Sequence, residues 1–530
     1  MKTLLLLLFF SALLTAQIYT LNELDKMPKS IAKDFFIWRF ITESNSSKET
    51  ALNAYQQSLR KSHKLKKAIR KKLGYLPPEK NIKKAPKDPK NFIIYPKNAS
   101  KKSLKKLKKL YKKIKKQGKY STVLEVMTSK NPFESLSKQT PKTQCYIFNG
   151  VTASYRAKRL NHRLGKEQLF WLAKEPQFNK TIHNIITHGG MEKIKESLRF
   201  TPIGDKITFQ SRFLLALNAL KQGDKNKANY YLSLAQKVAK FQSHKDQCNF
   251  WSYLINNDQN ELQKLMVSNQ VNLYTLLARE ILKQPYPKII TPHLPMKLVS
   301  DFNPYNPIDW EKIKQTIKEQ NSTQINQKAE QFKSYLTEGV YSYLKEKASN
   351  YNLPYYAMPY RDAMIGKTPK RIALLYAIAR QESRFVPASI SSSYALGMMQ
   401  IMPFLIRHLA KERGEKLELE AMFDPYVAIS YADQHLDYLT KYLYHPLFIA
   451  YGYNGGIGFT KTRLRKPYLF KKGAYEPYLS MELIDYEESK EYGKKVLSNY
   501  VIYMNLLGIK QELTPLLEQL LDPLATDRFR

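Results

Sequence analysis

Along most of this chain the apolar residues recur every three or four positions, the spacing of helices that bury one face. Phe213-Leu-Leu-Ala-Leu-Asn-Ala-Leu is followed by the breaker Gly223-Asp224 and then by Ala228-Asn-Tyr-Tyr-Leu-Ser-Leu-Ala, a helix, turn, helix plan. Small residues at the contacts and a short turn suit antiparallel helices stacked into a solenoid. The period is too irregular for a defined repeat family, and a compact helical bundle meets the same pattern. Leu104, Leu107, Tyr111 and Ile114 keep the rhythm inside a lysine-rich stretch, which predicts a helix with a wet face. Prolines 77, 78, 86, 89 and 96 cut the early helices short, and prolines 292, 295, 304 and 307 mark a connection over 290–310. A helix over 325–347 is expected next. From 351 the pattern changes: a helix over 370–384, Asp424 as an N-cap with Pro425 at the first helical position, a long helix over 426–444, then glycine-rich loops. The predicted class is mainly α, with an N-terminal superhelix or solenoid over 17–350 and a second, loop-richer domain over 351–530.

Composition sharpens this division. Of 19 glycines in 530 residues, 10 fall between Gly366 and Gly508, so the first two thirds are almost free of the residue that breaks helices and turns tight loops. Lysine and arginine number 87 against 45 acids, a formal net charge of +42 that attracts polyanions. Residues 60–119 hold 25 basic and two acidic side chains, Glu79 and Asp88. The first 16 residues read as a secretion signal: Lys2, an apolar run over 4–14, and a cleavage point after Ala16. The run is too short to span a bilayer, so a membrane is met only if the signal stays uncleaved. The expected location is therefore the periplasm or the exterior, which argues against nucleic acid as the polyanion. Cys145 and Cys248 could pair in an oxidising compartment or remain as two buried thiols.

Candidate chemistry centres on Glu382. Leu374, Ile378 and Glu382 stand four residues apart on one face of the 370–384 helix, so the carboxyl continues an apolar stripe. Partial desolvation there favours the protonated form, which is what protonation of a glycosidic oxygen requires. Arg380-Gln-Glu-Ser-Arg-Phe is followed by Gln400, 18 residues after Glu382, within Gly397-Met-Met-Gln-Ile-Met-Pro403, and later by Gly452-Tyr-Asn-Gly-Gly. These three ordered motifs resemble the soluble lytic transglycosylases, whose catalytic domain is goose-lysozyme-like, and the resemblance covers 351–508. It implies a lysozyme-like α domain with a small β component, and an N-terminal helical superhelix before it. It places Glu382 on the family's catalytic glutamate and Ser383 on the serine beside it. Ser391, Gln400 and Met402 match residues lining the glycan groove, Tyr453 and Asn454 the Tyr-Asn pair, and Glu488 a second glutamate in Glu488-Ser-Lys-Glu-Tyr492. Met398 and Met399 are expected as core filler. The chain departs from the pattern at Tyr394, where glycine is common, at Met398, in place of leucine, and at Gly493, where valine usually follows the tyrosine.

What the resemblance implies is cleavage of peptidoglycan strands between N-acetylmuramic acid and N-acetylglucosamine. A single carboxyl would act first as acid and then as base, closing a 1,6-anhydro ring. Ordinary glycosidases need a second carboxylate. A water-adding muramidase and an inactive wall-binding scaffold are the alternative readings. Expected partners are the glycan strands and proteins of wall synthesis or remodelling. Nine histidines contain no His-Glu-x-x-His, two cysteines cannot build a zinc cluster, and no Gly-x-Ser-x-Gly or phosphate-loop pattern occurs, so no cofactor or metal is expected.

Overall fold

A computed structural model describes residues 18–78, 94–114 and 118–530. The expected signal over 1–16 lies outside them, as do 79–93 and 115–117 of the basic segment. The described chain is mainly α-helical. Among the described residues β structure is limited to isolated bridges, Ile290 with Tyr355, Ile390 with Leu396, Leu396 with Ile401, and Leu443 with Asp527. No described helix is long and apolar enough to cross a membrane.

The chain divides into two compact units, each assembled from separated stretches. The first takes Met1–Lys83, Lys288–Tyr442 and Val496–Gln511. At its centre Trp310, Ile317, Ile325, Phe332, Val340 and Leu344 pack with Val386 and Ala388, so the residues that follow Glu382 are rooted in the core. The helix expected over 325–347 is broken here: it runs as Ser322–Glu330 and Glu338–Ala348 around a short 3-10 turn, Tyr335–Thr337. The break contains no proline. Side chains make it instead, since Ser334 Oγ accepts from Leu336 N–H and donates to the Lys297 carbonyl, while Thr337 Oγ donates to the Phe332 carbonyl at 2.7 Å. Asp424 caps Pro425–Thr440 as expected, accepting from Tyr426 N–H at 2.8 Å and Val427 N–H at 3.2 Å.

The second unit takes Lys84–Pro287, Leu443–Lys495 and Glu512–Arg530. Its helices pack mainly against their chain neighbours, as a stack does: Phe209–Lys221 on Lys225–Lys237, and that helix on Gln242–Asn256. The turn between the first two is the one read from Gly223-Asp224, with Gly223 at φ 79° and Asp224 capping Lys227 N–H at 2.9 Å. Cys145 and Cys248 are unpaired and buried, and burial pushes both thiols up, to about 11 and about 12.

Candidate active site

Glu382 sits in the last turn of the helix Pro369–Ser383. The sequence predicts one apolar stripe, but the structure buries every residue from Ala373 to Ala379, so this is a core helix and not a surface one. Two polar groups on it bond within the same unit: Tyr376 Oη donates to the Pro359 carbonyl at 3.0 Å, and Asn499 Nδ2 reaches the Ala377 carbonyl at 3.4 Å. Glu382 is half-buried, placed where the helix leaves the core. The helix ends at once, because Arg384 and Phe385 both adopt left-handed backbone, φ 53° and 65°. Gly339 allows that reversal: a Cβ there would overlap the Phe385 carbonyl.

Ser383 and the second motif meet next to Glu382. Ser383 Oγ donates to the Met398 carbonyl at 2.8 Å, tying the helix end to the 389–402 loop. That loop is closed by paired bonds between Leu396 and Ile401, both 3.0 Å, and by Gly397 N–H to the Ser389 carbonyl at 2.9 Å. Ser391 Oγ accepts from Ala395 N–H at 2.9 Å and from Ser393 N–H at 3.3 Å, so its side chain shapes the turn. Gln400 Nε2 donates to the Ser389 and Gly397 carbonyls, at 3.1 and 2.8 Å, which fixes the orientation of its amide. Met398 and Met399 are core residues, 1% and 0% exposed, whereas Met402 is half-buried. Glu382, Ser383, Ser391, Gln400 and Met402 thus belong to the first unit.

Two arginines flank Glu382 in sequence, and the structure gives both to one buried acid. Glu346, on Glu338–Ala348, accepts from Arg380 and Arg384 and from Tyr355 N–H at 3.1 Å. Sequence reading missed Glu346; the signal available was two arginines flanking Glu382, which demand a counter-charge. Glu338, on the same helix, is buried against Met358 N–H at 2.9 Å, and burial raises its carboxyl to about 7. Between the ordinary value near 4.5 and 7 the folded state binds more protons than the unfolded, so stability falls as pH rises through that window. We expect the first unit to melt higher at pH 5 than at pH 8, with the Glu338 contribution reaching about 3 kcal/mol at most. Thermal melts of Glu338→Gln should show a flatter dependence than the parent.

Tyr394 explains its own departure from the pattern. Its φ is 62°, a conformation that favours glycine, yet its ring is 1% exposed and packs on Phe35 and Trp38, with Ser62 Oγ 3.3 Å from its hydroxyl. Lys64 Nζ donates to the neighbouring Ser393 carbonyl at 2.6 Å. The side chain anchors the 389–402 loop to N-terminal helices of the first unit.

Tyr453, Asn454 and Glu488 belong to the second unit. Tyr453 and Asn454 end the helix Pro446–Gly455, both half-buried, and Asn454 Oδ1 accepts from Ser489 Oγ at 2.6 Å. Glu488, in the first turn of Glu487–Leu506, is exposed and accepts from Tyr486 Oη at 2.9 Å. Gly493 is matched to Tyr451: a Cβ there would overlap the buried tyrosine ring, so the ring occupies the space a side chain would need. No cluster of His, Cys, Asp and Glu suited to a metal occurs among the described residues.

Residues 366–475 match the family model of the Transglycosylase SLT domain. The match takes in Glu382, Ser383, Ser391, Gln400, Met402, Tyr453 and Asn454, and leaves Glu488 outside. The chain is also 31% identical, over 144 residues, to the soluble lytic murein transglycosylase of Salmonella typhimurium, covering 26% of this chain and 21% of that relative. The aligned stretch is thus about a fifth of the relative's length. Two solved structures are similar over more of the chain. One is an inactive mutant of the lytic transglycosylase Slt of Pseudomonas aeruginosa, at 14% identity and TM-score 0.47, covering 94% of this chain and 78% of that one. The other is the 70 kDa soluble lytic transglycosylase of Escherichia coli, at 16% identity and TM-score 0.47, covering 96% and 85%.

Proposed function

We propose that the chain is an exported lytic transglycosylase of peptidoglycan, with Glu382 as its one catalytic acid and base. The observation that carries this reading is the placement of a half-buried Glu382 at the abrupt end of a core helix inside the SLT domain, tied through Ser383 to the Gly397–Pro403 motif. Protonated Glu382 gives its proton to the oxygen between N-acetylmuramic acid and N-acetylglucosamine. As a carboxylate it then takes the proton of the muramyl C6 hydroxyl while that oxygen closes on C1. Bond breaking and ring closure balance without water. Glu346 supports this chemistry by engaging Arg380 and Arg384, which would otherwise stand as unpaired cations beside an acid that must be protonated to act.

Ser383, Ser391, Gln400, Met402, Tyr453, Asn454 and Glu488 are assigned to substrate binding. For Ser391 the role is to hold the loop, and for Gln400 to present its amide oxygen, because their other groups are taken by the backbone. The functional division proposed is a helical region over 17–350 and a catalytic region over 351–530. The location proposed is the periplasm, and the net charge of +42 suits a wall whose peptides carry carboxylates.

The test is a digest of purified sacculi with the full chain, read by mass spectrometry. Soluble muropeptides ending in 1,6-anhydromuramic acid are expected. Release of none, or of reducing ends as the main product, would overturn the proposal.

A further inference from the structure

Within the first unit, the N-terminal helix Ile31–Glu43 holds the segments around the candidate site at two places. Its residues Phe35, Trp38 and Arg39 stand at i, i+3 and i+4, so they share one face. Phe35 and Trp38 pack on the Tyr394 ring, with centroids 5.9 and 5.8 Å away. Arg39, 3% exposed, donates through Nη2 to Glu418 Oε2 at 2.9 Å and through Nη1 to Glu420. Glu418 is the N-cap residue of the 3-10 turn Leu419–Phe423, and Glu420 lies within that turn.

The two holds converge on one contact. The Met422 carbonyl of the turn lies so close to Gly397, in the 389–402 loop, that a Cβ there has no room. One helix face therefore fixes both partners of that contact. The helix is itself fixed by packing on Lys48–Gln57, His63–Leu73 and Pro307–Thr316. From His63–Leu73, Lys64 Nζ donates to the Ser393 carbonyl at 2.6 Å.

Backbone strain shows what the tyrosine adds. An aromatic residue at φ 62° is strained, and such strain persists only where the surroundings over-determine it. Glycine would satisfy this backbone without strain, so the ring contributes docking alone. The docked loop carries Gln400 and Met402, whereas Glu382 stands on a separate core helix whose end is held by Glu346.

We propose that Tyr394 is a positioning residue for the glycan: held by Phe35 and Trp38, it sets the 389–402 loop, and through it Gln400 and Met402, in the geometry that binds substrate. The functional part of this inference rests on the peptidoglycan-enzyme reading above. It makes a helix of the N-terminal region part of the working catalytic unit, and it assigns that helix to substrate affinity and not to proton transfer.

The experiment compares the full chain with Tyr394→Gly, Tyr394→Phe and Trp38→Ala. Glycine suits the backbone, so Tyr394→Gly should fold, and Trp38→Ala loosens the docking without touching the loop. In both, amide hydrogen exchange read by mass spectrometry should quicken at least about tenfold over 389–402, with 373–379 unchanged. KM for soluble, uncross-linked glycan strands should rise at least about fivefold and kcat should stay within about threefold, because binding is lost while Glu382 keeps its place. Tyr394→Phe keeps the ring and should retain the parent's exchange and KM. Loop exchange within about twofold of the parent in the first two variants, an unchanged KM, or a Tyr394→Phe as impaired as Tyr394→Gly would each overturn the proposal. Exchange needs no turnover: a parent chain that releases no muropeptides would sink the enzyme reading, while the loop measurement would still decide whether the helix holds the loop.

Discussion

Glu382→Gln is expected to lower release of muropeptides from sacculi at least about a hundredfold, with sacculus binding and melting temperature close to the parent's. The amide keeps the size and hydrogen-bonding capacity of the acid but has no transferable proton. The helix that carries it is held from Ala373 to Ala379 by burial on all sides, and its end is held by Ser383, Gly339 and Glu346, none of which changes. The comparison of turnover with melting temperature therefore separates chemistry from folding. Residual activity above about a tenth would move the catalytic role to another residue.

Gly397→Ala should be among the most damaging single changes in the first unit. Gly397 has φ 75°, and a Cβ there would overlap the carbonyl oxygen of Met422, a backbone atom that cannot swing aside. Left-handed backbone alone costs an alanine about 1–2 kcal/mol, and the overlap forces the 389–402 loop or the Met422 turn to move as well. A loss of roughly 3 kcal/mol or more is expected from denaturant unfolding, together with loss of turnover, because the same loop carries Gln400 and Met402. A change within about 0.5 kcal/mol would mean that the loop is far softer than its hydrogen bonds imply.

How much could be read in advance depended on how local the determinant is. Helices 213–220 and 228–235 were legible because periodicity and the Gly223-Asp224 turn lie within one short window, and Asp424 because a cap acts on the next three residues. The helical setting of Glu382 was legible because Leu374 and Ile378 share its helix, whereas its proposed role came from the three ordered motifs. Glu346 was not, since its pairing with Arg380 and Arg384 joins separate helices. The docking of Tyr394 spans 332 residues to Ser62, and only the folded chain shows why a side chain is tolerated at φ 62°. The break at 331–337 escaped because serine and threonine hydroxyls make it, without the glycine or proline that sequence punctuation relies on. Gly493 looked like a plain departure until Tyr451 was seen to fill the space.

In the proposed mechanism Glu382 acts twice, first as acid on the glycosidic oxygen and then as base on the muramyl C6 hydroxyl, with no water taking part. Digestion of sacculi by the parent chain in oxygen-18 water, followed by mass spectrometry of the new muramyl ends, tests it most directly. Transfer predicts 1,6-anhydro ends carrying no label. Labelled, reducible muramic acid as the main product would show that water is the acceptor, and that a second carboxylate, with Glu488 the first to replace, positions it.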